Sequence, residues 1–138
     1  MARSASKQPT DGELEILKIL WDQGPAGLGQ IHLVLHERRG VAVTTVATML
    51  KMMLAKELVE RENGPRGYLW RARLSRKATA SGLIGKLVQH VFDGSARRLV
   101  AHLVQEGELN DRERAEIAEI LRSEAKTRKS PRKKGSNS

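Results

Sequence analysis

The sequence predicts a mainly α-helical protein with one small β-hairpin, and three observations predict it. Apolar residues recur at the helical period from Thr10 to about Lys56. The pattern then becomes strand-like over Leu58-Val59-Glu60-Arg61-Glu62 and Tyr68-Leu69-Trp70-Arg71-Ala72, on either side of Asn63-Gly64-Pro65-Arg66-Gly67, which is hairpin punctuation. From Ser75 the helical period returns. Three helices followed by a two-stranded β-wing is the order of a winged helix-turn-helix. The later helices form a C-terminal module of their own.

Taken in order, residues 1–9 are polar, small and basic and read as a disordered arm. Thr10-Asp11-Gly12-Glu13 puts Thr at an N-cap and Glu three residues later, a capping box. Leu14, Ile16, Leu17, Leu20 and Trp21 follow at helical spacing, and Gly24-Pro25 stops the helix. Asp11, Glu13 and Glu15 complement the dipole of this helix, so a catalytic carboxylate pair is not needed to explain them. A second helix is expected from about Leu28 to Glu37, with Leu28, Ile31, Val34 and Leu35 inward, and Arg38-Arg39-Gly40 as the connection onward. A third should run from near Val43 to about Lys56. Neither has a good N-cap residue, since Gly27-Leu28-Gly29 opens one and Ala42-Val43 the other.

The third helix has two unlike faces. Val46, Leu50, Met53 and Leu54 fall on one side at a hundred degrees per residue and can be buried. Thr44, Thr48, Lys51 and Ala55 fall on the other, with Thr45, Ala47 and Met52 at its margins. Solvent-facing helices favour Glu, Lys, Arg and Gln. A face of Thr and Ala with Lys instead suits close approach to a large anionic surface. Thr hydroxyls can contact phosphates or bases, and Thr methyls pack on thymine methyls. We therefore expect this helix in the major groove of double-stranded DNA, with Thr44, Thr45, Ala47, Thr48 and Lys51 as its contacts and Arg66, at the wing tip, on the backbone.

Beyond the wing, residues 75–92 place Leu83, Leu87, Val88, Val91 and Phe92 on a helix weakened by Gly82 and Gly85. Ser95 can cap a helix with Leu99, Val100, Leu103 and Val104. Asn110-Asp111-Arg112-Glu113 can start another, with Ile117, Ile120 and Leu121. Such short amphipathic pieces do not make a core alone. Burial against a second copy is the simplest solution, so Leu87, Val91, Phe92, Leu99, Val100, Leu103, Ile117, Ile120 and Leu121 are the expected dimer contacts. The expected organisation is an arm over 1–9, a winged-helix domain over 10–73, a helical dimerisation domain over 74–124 and a disordered basic tail over 125–138.

Composition bounds the function. The net charge is +9, but residues 126–138 carry six basic side chains and no acid, leaving three charges for everything before them. Bulk charge alone therefore describes a tail that attracts phosphate without sequence preference. There is no cysteine, which excludes disulfides and thiolate metal sites. No apolar run approaches a membrane span and Met1-Ala2-Arg3-Ser4 opens no signal core, so a cytoplasmic protein without membrane insertion is expected. His32 and His36 stand four apart, a helical metal-pair spacing, yet no third ligand supports them; His90 and His102 are isolated. No Ser-His-Asp or phosphate-loop pattern occurs, so neither catalysis nor a cofactor is expected. The alternative from another class is an architectural or protein-binding winged helix whose tail holds nucleic acid non-specifically.

An ordered set of short motifs resembles the penicillinase-repressor family (BlaI/MecI type, with copper-responsive CopY-type relatives). They are Thr10-Asp11-Gly12-Glu13-Leu14-Glu15-Ile16-Leu17, Trp21, Gly24-Pro25-Ala26, Thr44-Thr45-Val46-Ala47-Thr48-Met49-Leu50, Leu58-Val59-Glu60-Arg61-Glu62, Arg66-Gly67-Tyr68-Leu69-Trp70 and Phe92-Asp93-Gly94-Ser95. The resemblance spans about residues 9–124. It implies a homodimeric repressor on a palindromic operator, with a membrane metallopeptidase sensor often encoded nearby. Two positions depart from the family pattern, which usually has Arg where Met52 stands and Gly where Glu57 stands. Induction in the family involves cleavage in the dimerisation region, commonly at an Asn-Phe bond, where this chain has His102-Leu103. The Cys-rich motif of the copper-responsive relatives is absent from this chain.

Overall fold

The structure, a computed structural model, describes residues 8–129. The order is α1 (Asp11–Gln23), β1 (Ala26–Gly27), α2 (Leu28–Arg39), α3 (Val43–Ala55), β2 (Val59–Gly64), β3 (Gly67–Ala72), α4 (Arg76–Val91), α5 (Ala96–Gln105) and α6 (Asp111–Lys129). Three helices and a wing followed by three more helices is the expected winged-helix order. Residues 1–7 of the expected arm and the expected tail from residue 130 onward lie outside the described residues.

Local chemistry explains where each element of the first half starts and stops. Thr10 Oγ1 accepts from the Glu13 amide at 3.2 Å, and Glu13 Oε1 accepts from the Thr10 amide at 3.0 Å, closing the capping box on α1. The same Glu13 carboxylate meets Lys56 Nζ at 2.8 Å, tying the start of α1 to the end of α3 through a nearly buried ion pair. Lys56 also donates to the Gln8 carbonyl. The second helix runs two residues past its expected end at Glu37. Gly40 at φ 66° supplies the left-handed stop, Arg38 and Arg39 suit the negative end of the helix dipole, and Arg39 pairs with Glu15 at 2.7 Å.

The end of α3 is a Schellman motif: the Leu58 amide donates to the Met53 carbonyl and the Glu57 amide to the Leu54 carbonyl. Its left-handed residue is Glu57, at φ 65°. This is the position where the family resemblance leads one to expect glycine. A left-handed L-residue costs about 1–2 kcal/mol, against which glycine loses about 0.5–1 kcal/mol of chain entropy. Glu57→Gly is therefore expected to raise stability by roughly 0.5–1 kcal/mol, read as an increase of a few degrees in Tm by circular dichroism. A lower Tm would mean that contacts of the Glu57 side chain outweigh its backbone cost.

Two features of the sheet depart from expectation. Ala26–Gly27 forms a third strand, antiparallel to β3 with Ala26 opposite Trp70, giving the order β1-β3-β2. The hairpin is also tighter than its punctuation suggests. Asn63 and Gly64 continue β2, and only Pro65-Arg66 turn the chain, with Gly67 at φ 115° receiving it. Proline suits the first corner of a tight turn, and a backbone near that φ favours glycine.

The core of this half joins all of its elements. Ile16, Leu17, Ile19 and Leu20 from α1, Ala26, Ile31 and Leu35, Val46, Leu50 and Met53 from α3, and Val59 and Trp70 from the hairpin are buried together. The faces of α3 divide as expected. Leu54 packs on this core half-buried, while Thr44, Thr45, Thr48, Lys51, Met52 and Ala55 are exposed.

The chain divides into two units after Lys86, inside α4, rather than at the expected boundary after residue 73. The first turns of α4 are held to α1: Trp21 Nε1 donates to the Leu74 carbonyl at 2.9 Å, and Arg76 pairs with Asp22 and lies over the Trp21 ring. Within the second unit, Asp93 and Gly94 take left-handed conformations after α4. Ser95 then caps α5 by accepting from the Arg98 amide, and Asn110 caps α6 by accepting from the Glu113 amide. The last helix extends to Lys129, taking in the first five residues of the expected tail.

Candidate nucleic-acid interface

The helix-turn-helix pair α2–α3 and the wing present one continuous face. Core contacts through Val46, Leu50 and Met53 fix the rotation of α3, so its opposite side must face outward. There the structure brings together Thr44, Thr45, Thr48 and Lys51, all exposed, with Ala47 half-buried at the edge. The Thr48 hydroxyl donates to the Thr44 carbonyl at 3.0 Å. That bond commits the hydroxyl proton to the backbone. Thr48 thus offers a surface a methyl group and an acceptor, but no free donor. Ala42 gives α3 no side-chain cap, so its first amides stay open beside the Thr44 and Thr45 hydroxyls. Met52, at 54 % exposure, adds an apolar side chain next to Lys51.

Lys51 and Arg66 lie on two sides of a cleft of about 740 Å³ bounded by α3, the start of α2 and the wing. Neither forms an ion pair among the described residues, so both charges are available to a partner. Arg61 is a third cation on this cleft, and residue patterns alone did not single it out. Its guanidinium lies 3.9 Å from the centre of the Tyr68 ring and 5.5 Å from that of Trp70. Strand register could have found it: a Pro65-Arg66 turn puts Arg61 opposite Trp70 and Asn63 opposite Tyr68, on one hairpin face. The other face carries Glu60 and Glu62, both paired with Arg71. The acids of the wing are therefore turned away from the cleft.

The residues expected at the dimer contact lie within α4–α6 and the turn after α4. Among the described residues of these helices, none is buried. Leu87, Val91, Val100, Ile120 and Leu121 are exposed, whereas Phe92, Leu99, Leu103 and Ile117 are half-buried. Phe92 packs edge-on against His102 at 5.6 Å. His32 and His36 stack on each other at 5.3 Å, and no group of three potential metal ligands occurs among the described residues. Nor is any described helix long and apolar enough to cross a membrane.

The model of one family, described as the penicillinase repressor, matches residues 9–123. The chain belongs to the penicillinase repressor family. It is similar to the penicillinase repressor of Staphylococcus aureus, with 22% identity over 113 residues that cover 79% of this chain and 86% of that protein. Among solved structures, it is similar to wild-type MarR in its apo form from E. coli, with 19% identity and a TM-score of 0.49, covering 83% of this chain and 76% of that one. A transcriptional regulator from Thermotoga maritima is similar at 21% identity and a TM-score of 0.46, covering 86% of this chain and 75% of that one. As a member of the penicillinase repressor family, the protein is a DNA-binding transcriptional regulator.

Proposed function

We propose that this penicillinase repressor family member acts as a cytoplasmic homodimer that sits on a palindromic operator and blocks transcription. The observation that carries the reading is the outer face of α3, whose only charge is the unpaired Lys51 set among exposed Thr side chains, with Arg66 unpaired across the cleft. Thr44, Thr48 and Lys51 lie in the major groove in this reading, Ala47 lines its edge, Thr45 meets phosphate and Arg66 grips the backbone beside the site. The second unit supports the dimer: Leu87, Val91, Val100, Ile120 and Leu121 leave an apolar surface uncovered in one chain, and a second copy would bury it. Two recognition helices related by a twofold axis then read half-sites about one helical turn apart, ~34 Å. Separation of the copies releases the operator, and a membrane metallopeptidase sensor is the proposed source of that signal.

Selection of bound duplexes from a random pool tests the reading. Enriched sequences should be inverted repeats, and full-length protein should hold the whole repeat far more tightly than one arm of it at the same salt concentration. Enrichment of no sequence, with binding that depends on salt alone, would favour an architectural protein instead.

A further inference from the structure

We propose that the cleft between α3, the start of α2 and the wing is a binding site for a small, flat aromatic carboxylate, and that its occupancy excludes DNA. Its volume of about 740 Å³ lies within the range of small-molecule sites. Leu28, Leu50, Tyr68 and Trp70 contribute apolar and aromatic walls. A phosphodiester is too strongly hydrated to gain from contact with such walls, so duplex resting on the outer face of α3 would roof the cleft and leave it unfilled. An aromatic ring would fill it.

Charge selects the rest of the ligand. Lys51, Arg61 and Arg66 all border the cleft, and no acidic residue does. Arg61 is the anchor. Stacking on Tyr68 holds its guanidinium plane while leaving the N–H edge to donate, the geometry that takes a carboxylate through two parallel hydrogen bonds. The backbone of Gly27, Gly29, Gly64 and Gly67 lines the same space, so a flat ligand meets little side-chain obstruction there. Exclusion of DNA follows from shared residues: Ala47, Lys51 and Arg66 line the cleft and are also assigned to the operator. An anion between the two cations neutralises charges that phosphates would otherwise engage. This second half rests on the DNA-binding reading above, so binding and competition are measured separately.

Glycine amides provide the test, because they resolve as a group in nitrogen–proton correlation spectra of the full chain. Titration with 2-naphthoate should shift Gly27, Gly29, Gly64 and Gly67 saturably and leave Gly82, Gly85 and Gly107 in place. The neutral 2-naphthamide should bind roughly tenfold more weakly, as expected for loss of a charge-assisted contact. Arg61→Gln should weaken naphthoate by a similar factor, and Arg61→Lys should recover only part of the loss. Absence of saturable shifts at the cleft glycines, equal binding of the amide, or an unaltered Arg61→Gln variant would each overturn the site. Naphthoate at a concentration that saturates the unmodified protein should then raise its apparent Kd for duplex, and the relative rise should be smaller in Arg61→Gln. Cleft shifts with undiminished DNA binding would overturn the exclusion alone. A protein that shifts with naphthoate but binds no duplex would instead sink the repressor reading and leave the ligand site standing.

Discussion

Val91→Asp together with Leu121→Asp is expected to convert the proposed dimer into a folded monomer and to lower affinity for a palindromic duplex by roughly 10²–10⁴-fold. These two positions are 62% and 65% exposed in the single chain, so carboxylates there stay solvated in a monomer and cost its fold little. In a dimer the same carboxylates would lose their water inside an apolar contact, and two copies would bring like charges together. The large effect on DNA arises because linking two readers makes the second half-site contact intramolecular, which multiplies affinity without any new contact. Sedimentation equilibrium should show one protomer per particle, circular dichroism should keep its helical signal, and affinity for an isolated half-site should stay near that of the unsubstituted chain. A double variant that still sediments as a dimer would remove α4 and α6 from the interface.

The legible parts of the fold were those set by periodicity and capping. Thr10 and Glu13 announce the start of α1 because their reciprocal hydrogen bonds need only three residues of spacing. Val46, Leu50 and Met53 announce the inner face of α3 because one apolar side at the helical period is the condition for burial. The two residues of β1 have no period at all; they are a strand only because Trp70 and Leu69, more than forty positions away, supply partners. Asn63-Gly64 is turn chemistry locally, yet pairing through to Gly67 extends the strand and moves the corner to Pro65-Arg66. The long reach of α6 escaped because a basic run reads by composition as solvated tail, although Ala, Lys and Arg are also good helix formers.

The candidate site was legible for the same reasons and to the same depth. Thr44, Thr48 and Lys51 fall on one face by counting residues, whereas Arg61 joins them only through cross-strand register and an aromatic partner. Sequence also could not tell which group Thr48 presents. That depends on a side-chain torsion, fixed here by the Thr44 carbonyl.

In the proposed complex, that torsion separates the roles of Thr48 and Lys51. With its hydroxyl proton donated to the backbone, Thr48 would read the operator chiefly through its methyl group. Thr48→Val keeps a methyl in place and should preserve operator affinity, whereas Thr48→Ser removes it and should weaken binding where thymine lies beneath. Lys51→Ala removes the only charge on the reading face. It should cost about 1–3 kcal/mol on the selected operator if the ammonium meets a base edge, or roughly 5–150-fold in Kd, and relax preference at that base pair. If Lys51 meets phosphate instead, all sequences should weaken alike and the salt slope should fall by about one. Combining Thr48→Ala with Lys51→Ala removes both elements, and competition gel shifts against scrambled duplex measure what discrimination remains. The double variant should hold operator and scrambled duplex with nearly equal affinity. Full discrimination surviving in it would place the sequence-reading surface elsewhere than α3.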